Sequence, residues 1–114
     1  MSHVSERFPY MPIHLESRGG TVDTEALLDT GFDGDVAVPS DLLTAGQTDG
    51  HLRWTLADGS TILAPYYLGE VAVADMGPFP CLITALGDEP LVGRGVAEHF
   101  RITLDHGLTV AVEP

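Results

Sequence analysis

An all-β fold is what this sequence predicts, and three observations predict it. Thirteen glycines and eight prolines punctuate 114 residues, so turns recur at short intervals. Leu52, Trp54 and Leu56 alternate at period two ahead of Asp58-Gly59, the strongest hairpin signal in the chain. Helical spacing is confined to short pieces, chiefly Val96, His99 and Phe100 at i, i+3 and i+4. Seven to nine strands with one or two helical turns describe a closed or sandwiched β fold.

Taken in order, Phe8 to Glu16 reads as extended, and its two prolines suit an edge strand or the start of one. Ser17 to Gly20 is a turn. From Thr21 the chain is polar around a lone Val22, then becomes apolar at Ala26-Leu27-Leu28, a strand running into the core. Asp35 to Pro39 is a second short buried strand. Pro39 to Gly46 offers Ser40 as an N-cap and Gly46 as a stop for one or two helical turns. His51 to Leu68 is the hairpin. Gly69 to Leu86 gives two further strands about a turn near Asp75 to Pro78. Gly87 to Pro90 is a loop, Leu91 to Phe100 carries the short helix, and the chain closes as strand, turn, strand.

The length fits one domain, residues 1–114, with a modest core. Seventeen acids against five Lys and Arg give a net charge of −12. Phosphate binding needs a basic face, so nucleic acid is excluded as a partner, and an anionic membrane surface with it. The N-terminal residues show no apolar core of a signal peptide and no stretch approaches 18 apolar residues, so a cytoplasmic location is expected. The single cysteine, Cys81, cannot form an internal disulfide and reads as an apolar filler. The five histidines have no metal spacing, so no metal and no cofactor are expected.

One ionisable residue stands where it is costly. Asp29 follows Ala-Leu-Leu and precedes a turn at Thr30-Gly31, after which Val36 and Val38 return to the core. Asp and Gly are also ordinary turn residues, and a capping role would account for this stretch by itself. Three segments in order, Glu25 to Pro39, Leu56 to Thr61 and Pro90 to Asp105, carry a wider pattern: apolar-apolar-Asp-Thr-Gly, a central hairpin, and Leu91-Val92-Gly93 ahead of a short helix. In this order, over roughly Phe8 to Val112, the chain resembles the retropepsin-like aspartic proteases, single-domain relatives of pepsin. The second motif lies 64 residues after Asp29, a family-like separation.

The resemblance implies a closed retropepsin-like barrel with a flap hairpin and one short C-terminal helix. It also implies an aspartic endopeptidase acting on peptide or protein substrates. Catalysis in that family needs two facing aspartates. This chain has one Asp-Thr-Gly, and Val92 stands in the second motif without an acid. The resemblance therefore implies a homodimer, one Asp29 from each subunit across a two-fold axis. Two carboxylates about 3 Å apart hold one proton between them. One activates a water and the other protonates the substrate carbonyl. By the same carry-over, Thr30 locks the two loops across the axis and Gly31 admits substrate backbone. Phe32 and Asp33 border the substrate, Ala57, Asp58 and Gly59 form the flap tip over it, and Asp33 pairs with Arg94.

Three departures from the retroviral pattern stand out. Phe32 is bulky, Gly95 replaces the Asp or Asn that often follows Gly-Arg, and the tail continues past Leu104 into another strand. A catalytically silent barrel of the same fold, binding peptides or a protein partner, is the alternative, because fold does not dictate activity.

Overall fold

The structure is a computed structural model that describes residues 2–44 and 46–114. Alternation sets the first hairpin. Strand β2 (Tyr10–Ser17) sends Met11, Ile13 and Leu15 inward at every second position, and β3 (Gly20–Leu28) contributes Val22 and Ala26. The pair runs antiparallel from Tyr10↔Leu27 to Ser17↔Gly20 around a two-residue turn at Arg18-Gly19. Ahead of it lies β1 (His3–Ser5), a strand too short for periodicity to reveal in the sequence. Strand β4 (Val36–Val38) is buried at all three positions, as expected of a short apolar run.

Among the described residues from Pro39 to Gly46, the helical piece is a 3₁₀ turn over Ser40–Leu42, with Pro39 at the cap position and no side-chain capping bond. Ser40 is therefore the first residue of the turn, not its cap. Leu43 returns to extended geometry and is buried, because core packing wins over a short helix with no stabilising cap.

The central hairpin comprises β5 (Gly50–Thr55) and β6 (Thr61–Val73). The segments on either side of Gly69 are thus one 13-residue strand. Gly69 does not break it; a Cβ there would overlap the Glu16 carbonyl oxygen, so glycine permits β2 and β6 to close together. The next turn lies at Ala74-Asp75, ahead of β7 (Met76–Ala85), which holds Pro78 and Pro80 within the strand.

Strand β8 (Leu91–Val92) leads into helix α1 (Arg94–Ala97), and β9 (Arg101–Asp105) and β10 (Thr109–Glu113) complete the chain. The helix is one turn long. His99 and Phe100 fall beyond it and pack on Phe79, His99 stacked at 4.3 Å and Phe100 edge-on at 5.5 Å.

Seven strands form one sheet in the order β2-β3-β8-β4-β7-β6-β5, and β2 also pairs with β6. That last pairing closes six strands into a barrel and leaves β5 outside as the free arm of the hairpin. The prolines near β2 therefore do not mark a sheet edge. Pro12 is tolerated because its pairing with β6 starts only at Ile13↔Val73, and its carbonyl accepts from Ala74 N–H at 2.9 Å. A second sheet, β1-β10-β9, packs on the barrel through Val110 and Val112, both fully buried. Among the described residues, no helix is long and apolar enough to cross a membrane.

Candidate active site

Strand β8 threads between two strands of opposite sense. It runs parallel to β3 through Leu27↔Leu91 and Leu28↔Val92, and antiparallel to β4 through Val36↔Val92. Asp29 N–H donates to the Val92 carbonyl at 2.9 Å, so the aspartate leaves β3 where the two apolar motifs pair side by side. The turn then holds itself. Gly31 N–H donates to Asp29 Oδ1 at 2.9 Å and Phe32 N–H to the Asp29 carbonyl at 3.2 Å. Asp29 is half-buried while Thr30 and Gly31 are exposed. The carboxylate thus sits at the rim of the core, held by the Gly31 main-chain amide, with its turn presented outward.

The second motif clasps this turn from behind. Gly93 N–H donates to the Asp35 carbonyl, Arg94 N–H to the Phe32 carbonyl, both at 2.9 Å, and Gly95 N–H to the Gly34 carbonyl at 3.1 Å. A Cβ on Gly93 would overlap Gly34 O and lie 2.7 Å from Phe32 O, so only glycine allows this approach.

Asp35 is a residue that sequence reasoning passed over. Its Oδ2 accepts from Leu82 N–H at 2.8 Å, tying the loop to β7. Its Oδ1 fills the space a Gly95 side chain would need. The departure at Gly95 thus has a steric cause: the carboxylate at this point comes from position 35. Its sequence signal, an acid directly preceding Val-Ala-Val, matches the one that drew attention to Asp29.

The expected Asp33–Arg94 pair is not among the ion pairs of the described residues, and Arg94 is fastened through its backbone. Asp33 is exposed and lines a cleft of about 470 Å³ with Leu52, Arg53, Trp54 and Thr55 of the flap strand. Phe32 meets Trp54 at 5.2 Å between ring centroids, tilted by 42°. Gly34 lies beneath them; a Cβ there would approach Phe32 Cζ at 2.5 Å and Trp54 Cη2 at 2.9 Å. Phe32 therefore ties β5 of the central hairpin to the loop after the Asp29 turn. The tip of the β5-β6 hairpin is a self-contained turn: Asp58 Oδ1 accepts from Ser60 N–H at 2.9 Å and Ser60 Oγ at 2.5 Å, which holds its carboxyl below the usual range. Ala57, Asp58 and Gly59 are exposed, and Gly59 has φ of 86°.

A short strand threaded between β3 and β4 beside an Asp-Thr-Gly turn, with a hairpin arm outside a closed barrel, is a specific topology. A crystal structure of a retropepsin-like aspartic protease from Rickettsia conorii matches it with a TM-score of 0.64 at 14% identity, over 98% of this chain and 90% of that one. The chain has the retropepsin-like fold. No protein-family model and no curated protein matches the sequence.

Within this fold the remaining polar residues support the site at a distance. Tyr10 donates to Glu89 Oε1 at 2.8 Å, linking the start of β2 to the loop before β8. The Glu89 carboxylate raises the Tyr10 hydroxyl's pKa. Arg7 lies 4.0 Å over the Tyr10 ring and pairs with Glu25 at 2.7 Å. Cys81 is buried, and burial pushes its thiol up to about 12, the opposite of a nucleophile. No group of His, Cys, Asp and Glu among the described residues has the arrangement to hold a metal.

Proposed function

We propose that this chain is an aspartic endopeptidase that works as a homodimer, with Asp29 of each subunit forming the catalytic pair. The observation that carries the reading is the local geometry at Asp29: an acid at the end of β3 beside β8, its carboxylate bonded by the Gly31 main-chain amide, on a turn whose Thr30 and Gly31 are exposed. A single such acid has no partner carboxylate in its own second motif, where Val92 is fully buried.

In the dimer the two carboxylates share one proton. The ionised member takes a proton from a bound water, and the water oxygen attacks the peptide carbonyl. The protonated member gives its proton to the carbonyl oxygen, and collapse of the tetrahedral species expels the amine. No covalent enzyme intermediate forms. The substrate lies extended between Phe32-Asp33 and the flap tip at Ala57-Asp58-Gly59, which adds main-chain hydrogen bonds and excludes water. Thr30, exposed in the single chain, bonds across the axis.

Cleavage of a peptide library by wild type and Asp29→Asn tests this. Wild type cleaves, pepstatin-type inhibitors block it, and the variant keeps its fold and loses at least about a thousandfold in rate, as loss of a central catalytic group entails. Equal cleavage by the variant would remove Asp29 from the chemistry. A folded wild type that binds peptides without cutting them would identify the silent module.

A further inference from the structure

The cleft between Asp33 and β5 carries two opposite charges that do not meet. Asp33 lines one wall, and four consecutive residues of β5, Leu52 to Thr55, line the other. Asp33 and Arg53 are both exposed, and no ion pair joins them among the described residues. Arg53 has no other acid as a partner there either, in a chain with seventeen acids. By contrast, Arg7 lies 2.7 Å from Glu25 and Arg18 lies 3.5 Å from Asp49. Neighbouring residues of a strand point to opposite faces, so four in a row line a cleft that follows the strand's edge. That edge is the free one: β5 is the last strand of its sheet, and β6 takes its other side.

Alternation then sorts the side chains. Trp54 meets Phe32, so Leu52 and Trp54 make an apolar face toward the Asp29 loop. Arg53 and Thr55 stand on the opposite face, both exposed. An extended peptide laid along this edge alternates in the same way. One of its side chains falls on the Trp54 face, and the next falls beside Arg53. An apolar side chain suits the first position. At the second, a carboxylate meets a guanidinium that no internal acid has claimed, with the planar fork that carboxylates match. Elsewhere along the cleft a substrate carboxylate meets Asp29, Asp33 or Asp58, and like charges repel. Among the residues lining this cleft, Arg53 is the cation.

We infer that Arg53 reads an acidic residue of the substrate: the peptide that fits this cleft carries Asp or Glu beside an apolar residue, the acid at Arg53 and the apolar side chain on Trp54. This rests on the proposed peptidase reading, in which the substrate lies extended between Asp33 and the hairpin. The net charge of −12 acts in the opposite sense at long range and draws cationic peptides. That attraction has no regard for position, whereas Arg53 acts on one residue of the substrate.

Cleavage profiling of a peptide library with the full chain and its Arg53 variants tests this. Wild type selects Asp or Glu at one position next to an apolar residue, with kcat/KM for Glu over Lys there of about tenfold or more. Arg53→Glu inverts that ratio at the same position, Arg53→Gln levels it to within about threefold, and Arg53→Lys keeps it in weakened form. Arg101→Gln, which removes a positive charge on β9, leaves the ratio as it is. A ratio that Arg53→Glu does not move, or a wild type that favours Lys over Glu at every position, would overturn the inference and leave a cleaving enzyme as the peptidase reading has it. If nothing is cleaved, fluorescence anisotropy with labelled peptides that differ only by Glu or Lys beside an apolar residue decides. Tighter binding of the Glu peptide, reversed by Arg53→Glu, sinks the peptidase reading and leaves Arg53 standing. Equal binding, or none, sinks both.

Discussion

At the scale of single residues, the site depends on atoms that are absent. Gly93 and Gly95 let β8 and α1 press against the loop from Phe32 to Asp35, and the Asp35 carboxylate occupies the room that Gly95 leaves. Gly95→Ala must displace that carboxylate from Leu82 N–H, so it should cost about 1–3 kcal/mol, the usual penalty of overpacking. Urea unfolding would show a lower midpoint at unchanged slope. In an Asp35→Ser background the penalty should shrink, because the clashing oxygen is gone. The same logic of surroundings applies to Cys81. A thiol pushed up to about 12 is roughly one part in ten thousand ionised at about pH 8, and it is buried besides. Reaction with a disulfide reagent should be slow in native protein and fast in denaturant. Rapid native labelling would show that the strand β7 side of the barrel opens readily.

At the scale of elements, period and turn chemistry made most of the fold legible. Asp58-Gly59 marked the central hairpin, and the apolar run from Val36 to Val38 the buried strand β4. What the sequence concealed depends on pairing across distance. β1 has three residues and exists because β10 is there to receive it. β6 runs unbroken through Gly69 because β2 demands the close approach. The Asp29 turn was visible from its neighbours, whereas Asp35 needed Gly95 alongside to show its purpose. The contact of Phe32 with Trp54 across Gly34 was equally hidden, and it makes a testable hinge. Gly34→Ala should push β5 outward, and the lone tryptophan should report this as a red-shifted, more quenchable emission with the barrel still folded. An unchanged spectrum would mean that the flap root does not bear on the turn. The first hairpin carries a pH signature. His14 Nδ1 lies 2.6 Å from Asp23 Oδ1, its cross-strand partner, with Glu16 on the same face. The Asp23 carboxylate raises the pKa of His14 above its ordinary value. A raised histidine stabilises the fold fully below the unfolded pKa, near 6.5, and that contribution fades as pH rises through the folded value. The stability gap between wild type and His14→Gln should therefore be widest just below the unfolded pKa and narrow as pH rises through the raised folded value. A gap that widened with rising pH would contradict the pairing.

At the scale of the whole molecule, charge opposes the assembly the proposed chemistry needs. Each subunit carries −12, and two such subunits must meet at a shared axis. Any proton bound near the axis relieves that repulsion. Protonating all five histidines takes a chain from −12 to −7, which reduces the repulsion between two copies. In the proposed dimer, association is therefore expected to be proton-linked: the Kd should fall as pH falls. Sedimentation should give a tighter dimer near pH 5.5 than near pH 7.5, the span in which histidines titrate. Added salt at about 0.1–0.3 M should tighten the dimer at the higher pH, since the screening length there drops below about 10 Å. If peptide cleavage is the function, activity at low enzyme concentration should rise along the same two axes, because dilution then removes active sites by splitting them. A dimer that weakened with mild acid and with salt alike would show that the interface is held by charge pairs, and that the net −12 is spread away from it.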